Sequence, residues 1–364
     1  MKLIEIIALL EKFAPLSLQE TYDNSGLLIG EKDQEISRVL ISLDLTEEVM
    51  EEAIAKKCNL IISHHPVIFK GLKSITDKNS TERIIKTAIK KDIALYAIHT
   101  NLDNIEFGVN DILCKKLGIS NAKILSSKGN LLRKLVTFCP TNEAERVREA
   151  IFKAGAGNIG NYDKCSFNLE GTGSFRGSEE TNPFVGNKGE LHYEKEIRIE
   201  TIFPVYMETT IIKALFEAHP YEEVAYDIYS LNNQSNQIGA GKIGELENAM
   251  DAKDFLLMVK KITGTGCIRH SPFVNRKIKR VVVCGGSGSF LTKDAIRAGA
   301  DVFLTGDVKY HDFFEADKKI IIADIGHYES EQFAKELIYS VLKENFSNFA
   351  VLISETNTNS VNYL

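Results

Sequence analysis

Two distant stretches of the chain carry the same pattern of strands and helices. Arg38–Ser42 aligns with Arg280–Cys284, and the same offset, without a gap, aligns Leu60–Ser63 with Val302–Thr305. Apolar strands that alternate with helical segments are typical of an α/β fold with a mainly parallel sheet and polar residues at the strand carboxyl ends. Chance likeness between two such units is the alternative. We interpret the pattern as a pseudo-duplicated α/β core that brings two sets of strand ends together.

A differently built segment separates the two halves. Its apolar and polar patterns predict the order βαββαβ, with a strand at Lys164–Leu169 followed by a glycine-rich bend at Gly171–Phe175. This order is that of a ferredoxin-like unit. An insertion that folds by itself is tolerated at a surface loop whose ends lie close together. We therefore predict three parts: a first core half at residues 1–128, an inserted domain at 129–236 and a second core half at 237–364.

Composition limits the class of protein. The chain has 364 residues, of which 44% are hydrophobic and 26% are charged, as in an ordinary globular protein. The formal net charge of −6 argues against broad electrostatic binding to nucleic acid. Six cysteines without a C-x-x-C pair are typical of free thiols in a reducing cytoplasm. Met1–Phe13 has the pattern of an amphipathic helix, and no apolar stretch is long enough to span a bilayer, so we expect a cytoplasmic protein without a membrane partner.

Two adjacent histidines follow one of the most apolar strands. Asn59–Ile62 reads as a buried strand, and His64 and His65 come directly after Ser63 and before Pro66. Neighbouring side chains on a strand point to opposite faces, so the pair is able to serve two different metal ions. The alternative is that one imidazole packs in the core and the other is solvated.

Both halves of the predicted core place polar residues at strand carboxyl ends. His327 and Glu331 are four residues apart and share one face if a helix begins there. Imidazoles together with carboxylates suit borderline divalent ions better than calcium or magnesium, and zinc, iron, manganese and nickel remain open. Two such ions lower the pKa of a bound water towards neutrality. The strand-end residues are His64, His65, His99, Asp103, Asp307, His311, His327 and Glu331.

A glycine loop precedes a predicted helix near Thr292. Gly285, Gly286, Ser287 and Gly288 follow a strand, and backbone donors at a helix amino terminus are able to hold a phosphate. The loop is not a complete G-x-G-x-x-G motif and lacks a Walker lysine. A tight strand-to-helix turn is the alternative interpretation.

Two further polar positions have two interpretations each. Asp44 lies at the place that corresponds to the glycine loop, and it either orients a metal-binding histidine or caps a helix. His219, beside Glu222 and Glu223, either joins a metal site or belongs to a structural turn, and we favour the turn.

These motifs together resemble the Nif-three-like dinuclear-metal proteins, also described as GTP cyclohydrolase I type 2 homologues. The resemblance covers nearly the whole chain, and the central segment is similar to the PII- and CutA-like insert of longer bacterial members. One departure is Asp307, where the family pattern has Glu after Thr305-Gly306. The matching motifs are Tyr22–Gly26, Ser63–Pro66, His99–Asp103, Gly285–Gly288, Thr305–Asp307, Tyr310-His311, and His327 with Glu331.

The resemblance implies a metal pair in a ring-shaped homohexamer. It implies that His64 and His65 each bind one ion, that Asp103 and His327 bind one each, and that Glu331 bridges both. Zinc, iron or manganese are the expected ions, two per chain. The metal sites would face an inner cavity of a toroidal hexamer, with the inserts over its openings.

Two functions fit this resemblance. The first is a metal-dependent hydrolase in which an activated water attacks a nucleotide or a related heterocycle, with GTP as the named candidate. His99 or His311 would move the proton, and Lys309 or the glycine loop (Gly285, Gly286, Ser287, Gly288) would hold the phosphates. The alternative is a non-enzymatic regulatory or scaffold hexamer in which the metals hold the core together and the insert senses a ligand. Fold alone does not choose between them.

Overall fold

The structure is a computed structural model that describes residues 1–235 and 237–364, so the predicted boundary at Asn236 lies outside the described residues. The chain divides into two compact units. One contains Met1–Ser127 with the part of the chain that follows Asn236, and the other is Lys128–Ser235. We refer to them as the first and the second unit.

The strands of the described residues are β1 (Gly26–Ile29), β2 (Arg38–Ser42), β3 (Leu60–Ser63), β4 (Ala94–Ala97), β5 (Ile119–Ser127), β6 (Leu132–Pro140), β7 (Ser166–Phe175), β8 (His192–Pro204), β9 (Tyr226–Leu231), β10 (Gly239–Met250), β11 (Arg269–His270), β12 (Ile278–Ser287), β13 (Val302–Gly306), β14 (Ile321–Asp324) and β15 (Ala350–Ile353).

The α-helices of the described residues are α1 (Leu3–Phe13), α2 (Glu47–Ala55), α3 (Ser80–Lys91), α4 (Thr100–Asp103), α5 (Val109–Lys116), α6 (Ala144–Lys153), α7 (Glu208–Ala218), α8 (Ala252–Thr263), α9 (Thr292–Arg297), α10 (His327–Glu331) and α11 (Ala334–Asn345). None of them combines the length and the apolar character needed to cross a bilayer.

The first sheet of the first unit has the strand order β1-β4-β3-β2-β15. β15, β2, β3 and β4 are parallel, and β1 is antiparallel at the edge. The strands are short and mainly apolar, as expected for a sheet that helices cover on both faces: α1 and α11 pack on one side, and α2 and α3 on the other. The carboxyl ends of β3 and β4 therefore open at the same edge of the sheet.

The second sheet of this unit has the order β11-β14-β13-β12-β10-β5. β12, β13 and β14 are parallel, whereas β11, β10 and β5 pair antiparallel. The expectation of a mainly parallel sheet is therefore wrong for this half, because three of the five strand pairs in this sheet are antiparallel. The α/β class itself is confirmed as a mixed fold with several sheets.

The second unit is one antiparallel sheet of order β7-β8-β6-β9. α6 and α7 cover one face, where Leu135, Val147, Ile199 and Leu215 are fully buried. The predicted bend at Gly171–Phe175 is wrong, since these residues continue β7 and pair with β8. A Cβ on Gly173 would lie 2.2 Å from Oε2 of Glu196, so the glycine makes room for a side chain of the neighbouring strand and does not mark a turn.

Candidate metal centre

His64 is the most buried member of the candidate site. It follows β3, is 0% exposed, and its Nδ1 lies 2.8 Å from the carbonyl oxygen of Ile98. Because a carbonyl oxygen only accepts hydrogen bonds, Nδ1 must carry the proton, and Nε2 of the neutral ring therefore keeps a lone pair. Nε2 is buried and has no hydrogen-bond partner in the described chain. Burial lowers the pKa of His64 to about 3, which keeps the ring neutral.

His65 is held by a carboxylate that the sequence left with two interpretations. Its Nδ1 lies 2.7 Å from Oδ1 of Asp44, and Oδ2 of Asp44 accepts a hydrogen bond of 2.7 Å from Thr358. Helix α2 is capped instead by the side chain of Thr46. Of the two interpretations, the structure supports the one in which Asp44 orients a histidine.

His327 has the same support in the other half of the first unit. Its Nδ1 lies 2.7 Å from Oδ2 of Asp307, which also accepts a hydrogen bond of 2.6 Å from Ser287. Asp307 has a φ of 53°, a left-handed conformation that aspartate tolerates better than most residues. The short side chain of Asp307 thus orients the ring of His327 through Nδ1, the nitrogen that faces away from the donor cluster.

Glu331 lies at the centre of the cluster. One helical turn after His327, its Oε2 is 3.0 Å from Nε2 of His65 and 3.0 Å from Nε2 of His327, and 3.9 Å from Nε2 of His64. The side chain is 4% exposed. Burial alone would raise the pKa of Glu331, but hydrogen bonds from His327 and His65 hold it well below its usual range.

Asp103 completes a second group around the same carboxylate. Its Oδ1 lies 3.6 Å from Nε2 of His64, is buried, and has no hydrogen-bond partner among the described residues. Burial and the charge of Glu331 raise the pKa of Asp103 well above its usual range. Nε2 of His64 and Oδ1 of Asp103 are thus two buried polar atoms that face each other without hydrogen-bond partners. Such a pair is expected where a metal ion binds between two ligands.

The donor atoms form three groups, in each of which all atoms lie within 4.8 Å of one another. His65, His327 and Glu331 form one, and His64, Asp103 and Glu331 form another. Glu331 belongs to both, which is the arrangement a bridging carboxylate needs. The third group joins His64 and His65 to His99, which the sequence had suggested as a proton carrier.

His99 depends on a residue to which the sequence analysis gave no role. Its Nδ1 lies 2.8 Å from Oδ1 of Asp23, whose side chain is 0% exposed, and the other oxygen of this carboxylate accepts a hydrogen bond of 3.0 Å from the backbone N–H of Thr100. Burial would raise the pKa of Asp23, but the hydrogen bonds from His99 and Thr100 lower it far below its usual range. Asp23 stands in the Tyr22–Gly26 motif, so the motif was visible but its contact with His99 was not.

All four histidines therefore present Nε2 to the same space. Each Nδ1 faces a carbonyl or carboxylate oxygen, which fixes the ring orientation and raises ligand basicity, as behind the metal-binding histidines of known sites. Burial would lower the pKa of His65 and of His327, yet contacts with Asp44, Asp307 and Glu331 raise them to about 10 and about 11. The carboxylates thus favour positive charge at the cluster, which protons or metal ions are able to supply.

The glycine loop contacts this cluster from the side. A Cβ on Gly286 would lie 2.3 Å from Oε1 of Glu331. The backbone N–H groups of Gly285, Gly286 and Gly288 donate to the side chains of Asn110, Ser330 and Thr305. These donors are engaged within the protein, so the structure favours the tight strand-to-helix turn over a phosphate cradle.

Other candidate residues lie elsewhere. Lys309 and His311 are exposed at a short 3₁₀-helix, Tyr310–Ala316, and do not line the cavity that opens over the donor groups. His219, in the second unit, accepts a hydrogen bond from the backbone of Tyr221 and bonds through Nε2 to the carbonyl of Phe138, as a structural turn requires.

The cavity over the donor groups has a volume of about 1180 Å³ and lies within the first unit. His65, His99, Asp103, His327 and Glu331 all reach its wall, while His64 lies behind it. A donor cluster that faces a cavity of this size is accessible to a small-molecule ligand.

Comparisons with known proteins identify the family of this chain. Residues 1–360 match the family Duf34/NIF3 (NGG1p interacting factor 3). Proteins named GTP cyclohydrolase 1 type 2 homolog from Halalkalibacterium halodurans and Bacillus subtilis are each 40% identical, over 99% of this chain and 98% of theirs. The crystal structure of a Bacillus cereus protein related to NIF3 is similar with a TM-score of 0.86 and 38% identity, over 100% of this chain and 99% of that one. These matches confirm the resemblance: the chain belongs to the Duf34/NIF3 family.

Proposed function

We propose that this protein is a hydrolase that uses two divalent metal ions to open a purine or related heterocyclic ring. The observation that carries the proposal is the pair of donor groups that share Glu331 and face one cavity. Two ions with a shared carboxylate are a common arrangement for activating water. The name of the relatives, GTP cyclohydrolase 1 type 2 homolog, points to the same class of substrate.

The residues present suit the metal pair. His64 and Asp103 would hold one ion and His65 and His327 the other, with Glu331 between them; mixed nitrogen and oxygen donors favour zinc, iron or manganese. Nε2 of His64 and Oδ1 of Asp103 are buried without partners, which supports this assignment. When bound, such ions lower the pKa of a coordinated water from about 15.7 towards 7.

The protein's own groups would then move protons around the reacting ring. Hydrolysis adds water to a ring carbon, breaks its bond to nitrogen and transfers a proton to that nitrogen. His99 lines the cavity, and Asp23 holds its Nδ1, so Nε2 is the atom that would carry the proton. His311 was the other predicted carrier, and its exposed position outside the cavity gives it less support.

Turnover of purine compounds tests the proposal. Protein loaded in turn with zinc, manganese and iron is incubated with GTP and with guanosine, and product is followed by chromatography. Glu331→Gln, which keeps the size but removes the shared charge, should abolish turnover, whereas Glu344→Gln on the exposed side of α11 should retain it. Equal activity in the wild type and Glu331→Gln, or no turnover by the metal-loaded protein, would refute the proposal.

We also propose the organisation that the sequence predicted: a pseudo-duplicated core interrupted by a ferredoxin-like insert, in a cytoplasmic homohexamer. Support for the duplication comes from equal registers, since Val39 pairs with Leu60 and Val281 pairs with Val302, at one offset. The βαββαβ order of Lys128–Ser235 supports the insert. Light scattering on the purified protein tests the hexamer.

A second candidate function is regulatory. A cavity of about 540 Å³ in the second unit is lined by Phe138, Phe175 and Tyr221, which favours a ligand with an apolar ring. In this function metal removal would dissociate the assembly, and ligands would bind without turnover. Light scattering before and after chelation, beside the turnover assay, distinguishes the two functions.

A further inference from the structure

The wall of the cavity over the donor groups carries more negative charge than two divalent ions balance. Asp103 and Glu331 would neutralise half of the four charges that the ions bring. Arg269 is the one lysine or arginine among the described lining residues, and it is already paired with Asp324 and with the carbonyl of Val308. The other lining carboxylates are Glu20, Asp44, Asp307, Asp324 and Glu329.

The two groups that the sequence suggested as phosphate binders, the glycine loop and Lys309, are not available for this role in the wall. The amides of the glycine loop already donate over 2.8–2.9 Å to the side chains of Asn110, Ser330 and Thr305. Lys309 does not line the cavity. A nucleoside triphosphate, with about four negative charges, would face carboxylates here without a matching set of cations, and like charges at short range repel.

Aromatic rings, in contrast, are available beside the metal-facing histidines. The ring centroids of Tyr22 and Phe69 are 6.4 Å apart, and that of Phe69 lies 6.1 Å from the ring of His99. Tyr22 is 63% exposed and Phe69 is 45% exposed, although both are large apolar side chains. Exposed aromatic faces at a cavity wall stack on planar rings, and every nucleobase has such a face.

We propose that this cavity selects uncharged planar heterocycles, such as a purine base or its nucleoside, over their phosphorylated forms. Tyr22 and Phe69 stack on the ring, and the carboxylates of the wall repel phosphate groups. The selection rests on the proposed function for the identity of the ring, since the ring must reach the metal-facing donors. It differs from that function in naming the charge state of the ligand.

Guanosine, GMP and GTP test the selection, because they share base and sugar and differ only in phosphate. Binding is measured by calorimetry on the metal-loaded protein after free metal has been removed. We expect the affinity to fall with each added phosphate charge, by tenfold or more from guanosine to GTP. The difference between these two affinities should narrow at high salt, because salt screens the repulsion. Tighter binding of GTP than of guanosine, or no binding of all three, would overturn the proposal.

Matched variants separate stacking from charge. Phe69→Leu should weaken the binding of guanosine about five- to a hundredfold, the range of base stacking. Phe314 is also an exposed phenylalanine but lies outside the cavity, so Phe314→Leu should leave this affinity unchanged. Glu329→Gln should bring the affinity for GTP several-fold closer to that for guanosine, because it removes one carboxylate of the cavity wall, whereas Glu344→Gln should leave the ratio of the two affinities unchanged. An unaltered ratio in Glu329→Gln contradicts the charge argument.

Turnover is scored separately from binding in these experiments. Guanosine bound in preference to GTP without any product would refute the hydrolase and leave the selection standing. If the protein turns over GTP and binds it more tightly than guanosine, the result would support the proposed hydrolase and refute the selection against phosphorylated ligands.

Discussion

Each histidine of the donor cluster is oriented by an acceptor behind its Nδ1 atom. For His65 the acceptor is Asp44, and Thr358 in turn holds the second oxygen of that carboxylate. For His327 it is Asp307, supported by Ser287. Such partners fix the ring and raise the basicity of the donor nitrogen, so they contribute to metal affinity without touching the ion.

Replacing Asp44 with Asn tests this contribution. We expect metal affinity to fall about 10- to 100-fold, because Asn keeps the size but supplies a weaker acceptor to Nδ1 of His65. Competition with a chromophoric chelator measures the change. Asp254→Asn, at an exposed position of α8, is the control, and equal affinities of the two variants would contradict the role of Asp44.

One buried ion pair lies in the first unit away from the donor cluster. Nζ of Lys242 lies 2.6 Å from Oδ1 of Asp111, and Lys242 is 1% exposed. The same carboxylate also contacts the exposed Lys115 at 2.9 Å. Burial would raise the pKa of Asp111, but hydrogen bonds from Lys242 and Lys115 outweigh this effect and lower it.

The two lysines of this pair should differ strongly in their effect on stability. Lys242→Met should lower the free energy of unfolding by about 3 kcal/mol, because it leaves a buried carboxylate with one solvated partner. Lys115→Met should cost less than about 1 kcal/mol, as for an exposed pair. Denaturant unfolding of both variants measures the difference, and equal costs would show that burial of the pair does not matter.

At the level of elements, the segment after β15 is part of the cavity wall. Glu52 on α2 accepts hydrogen bonds from Ser354 and from both the backbone and the hydroxyl of Thr356. The segment then reaches Asp44 through Thr358 and Glu329 through Asn359. One carboxylate on α2 therefore anchors a segment that ends beside the donor cluster.

The anchor should depend on pH in a defined direction. Burial would raise the pKa of Glu52, but hydrogen bonds from Lys56, Ser354 and Thr356 lower it from 4.5 to about 2. Because the folded pKa is lowered, the stabilisation is fully present above pH 4.5 and is lost as the pH falls to about 2. Wild type should be more stable than Glu52→Gln at pH 7, and the difference should shrink below pH 4.5. A constant difference across this range would contradict the assignment.

Elements were predictable where local pattern and packing agree. The apolar runs around Ile61 and Val282 are strands because helices bury both of their faces. The glycines of β7 were misread as a bend, since a glycine that makes room for Glu196 has the same sequence signature as one that turns the chain. The sequence could not decide between a phosphate cradle and a tight turn for the glycine loop for a similar reason. The side chains that accept hydrogen bonds from its amides belong to Asn110, Ser330 and Thr305, which lie in other elements of the chain.

At the scale of the whole molecule, the donor cluster joins residues from both halves of the chain. His65 and Glu331 are 266 positions apart and lie 3.0 Å from each other. The types of residue at the strand ends were predictable, because parallel strands bring their carboxyl ends to one edge. The supports of the cluster, Asp23 and Thr358, were not, because their contacts arise from loops that no periodic pattern describes.

Anomalous diffraction from crystals grown with zinc would locate the two ions that we propose on either side of Glu331. We expect two peaks per chain at the zinc edge, one against His64 and Asp103 and one against His65 and His327, both in contact with Glu331. Glu331→Gln should reduce the occupancy of both. A single peak, or zinc bound away from Glu331, would rule out a metal pair that shares this carboxylate.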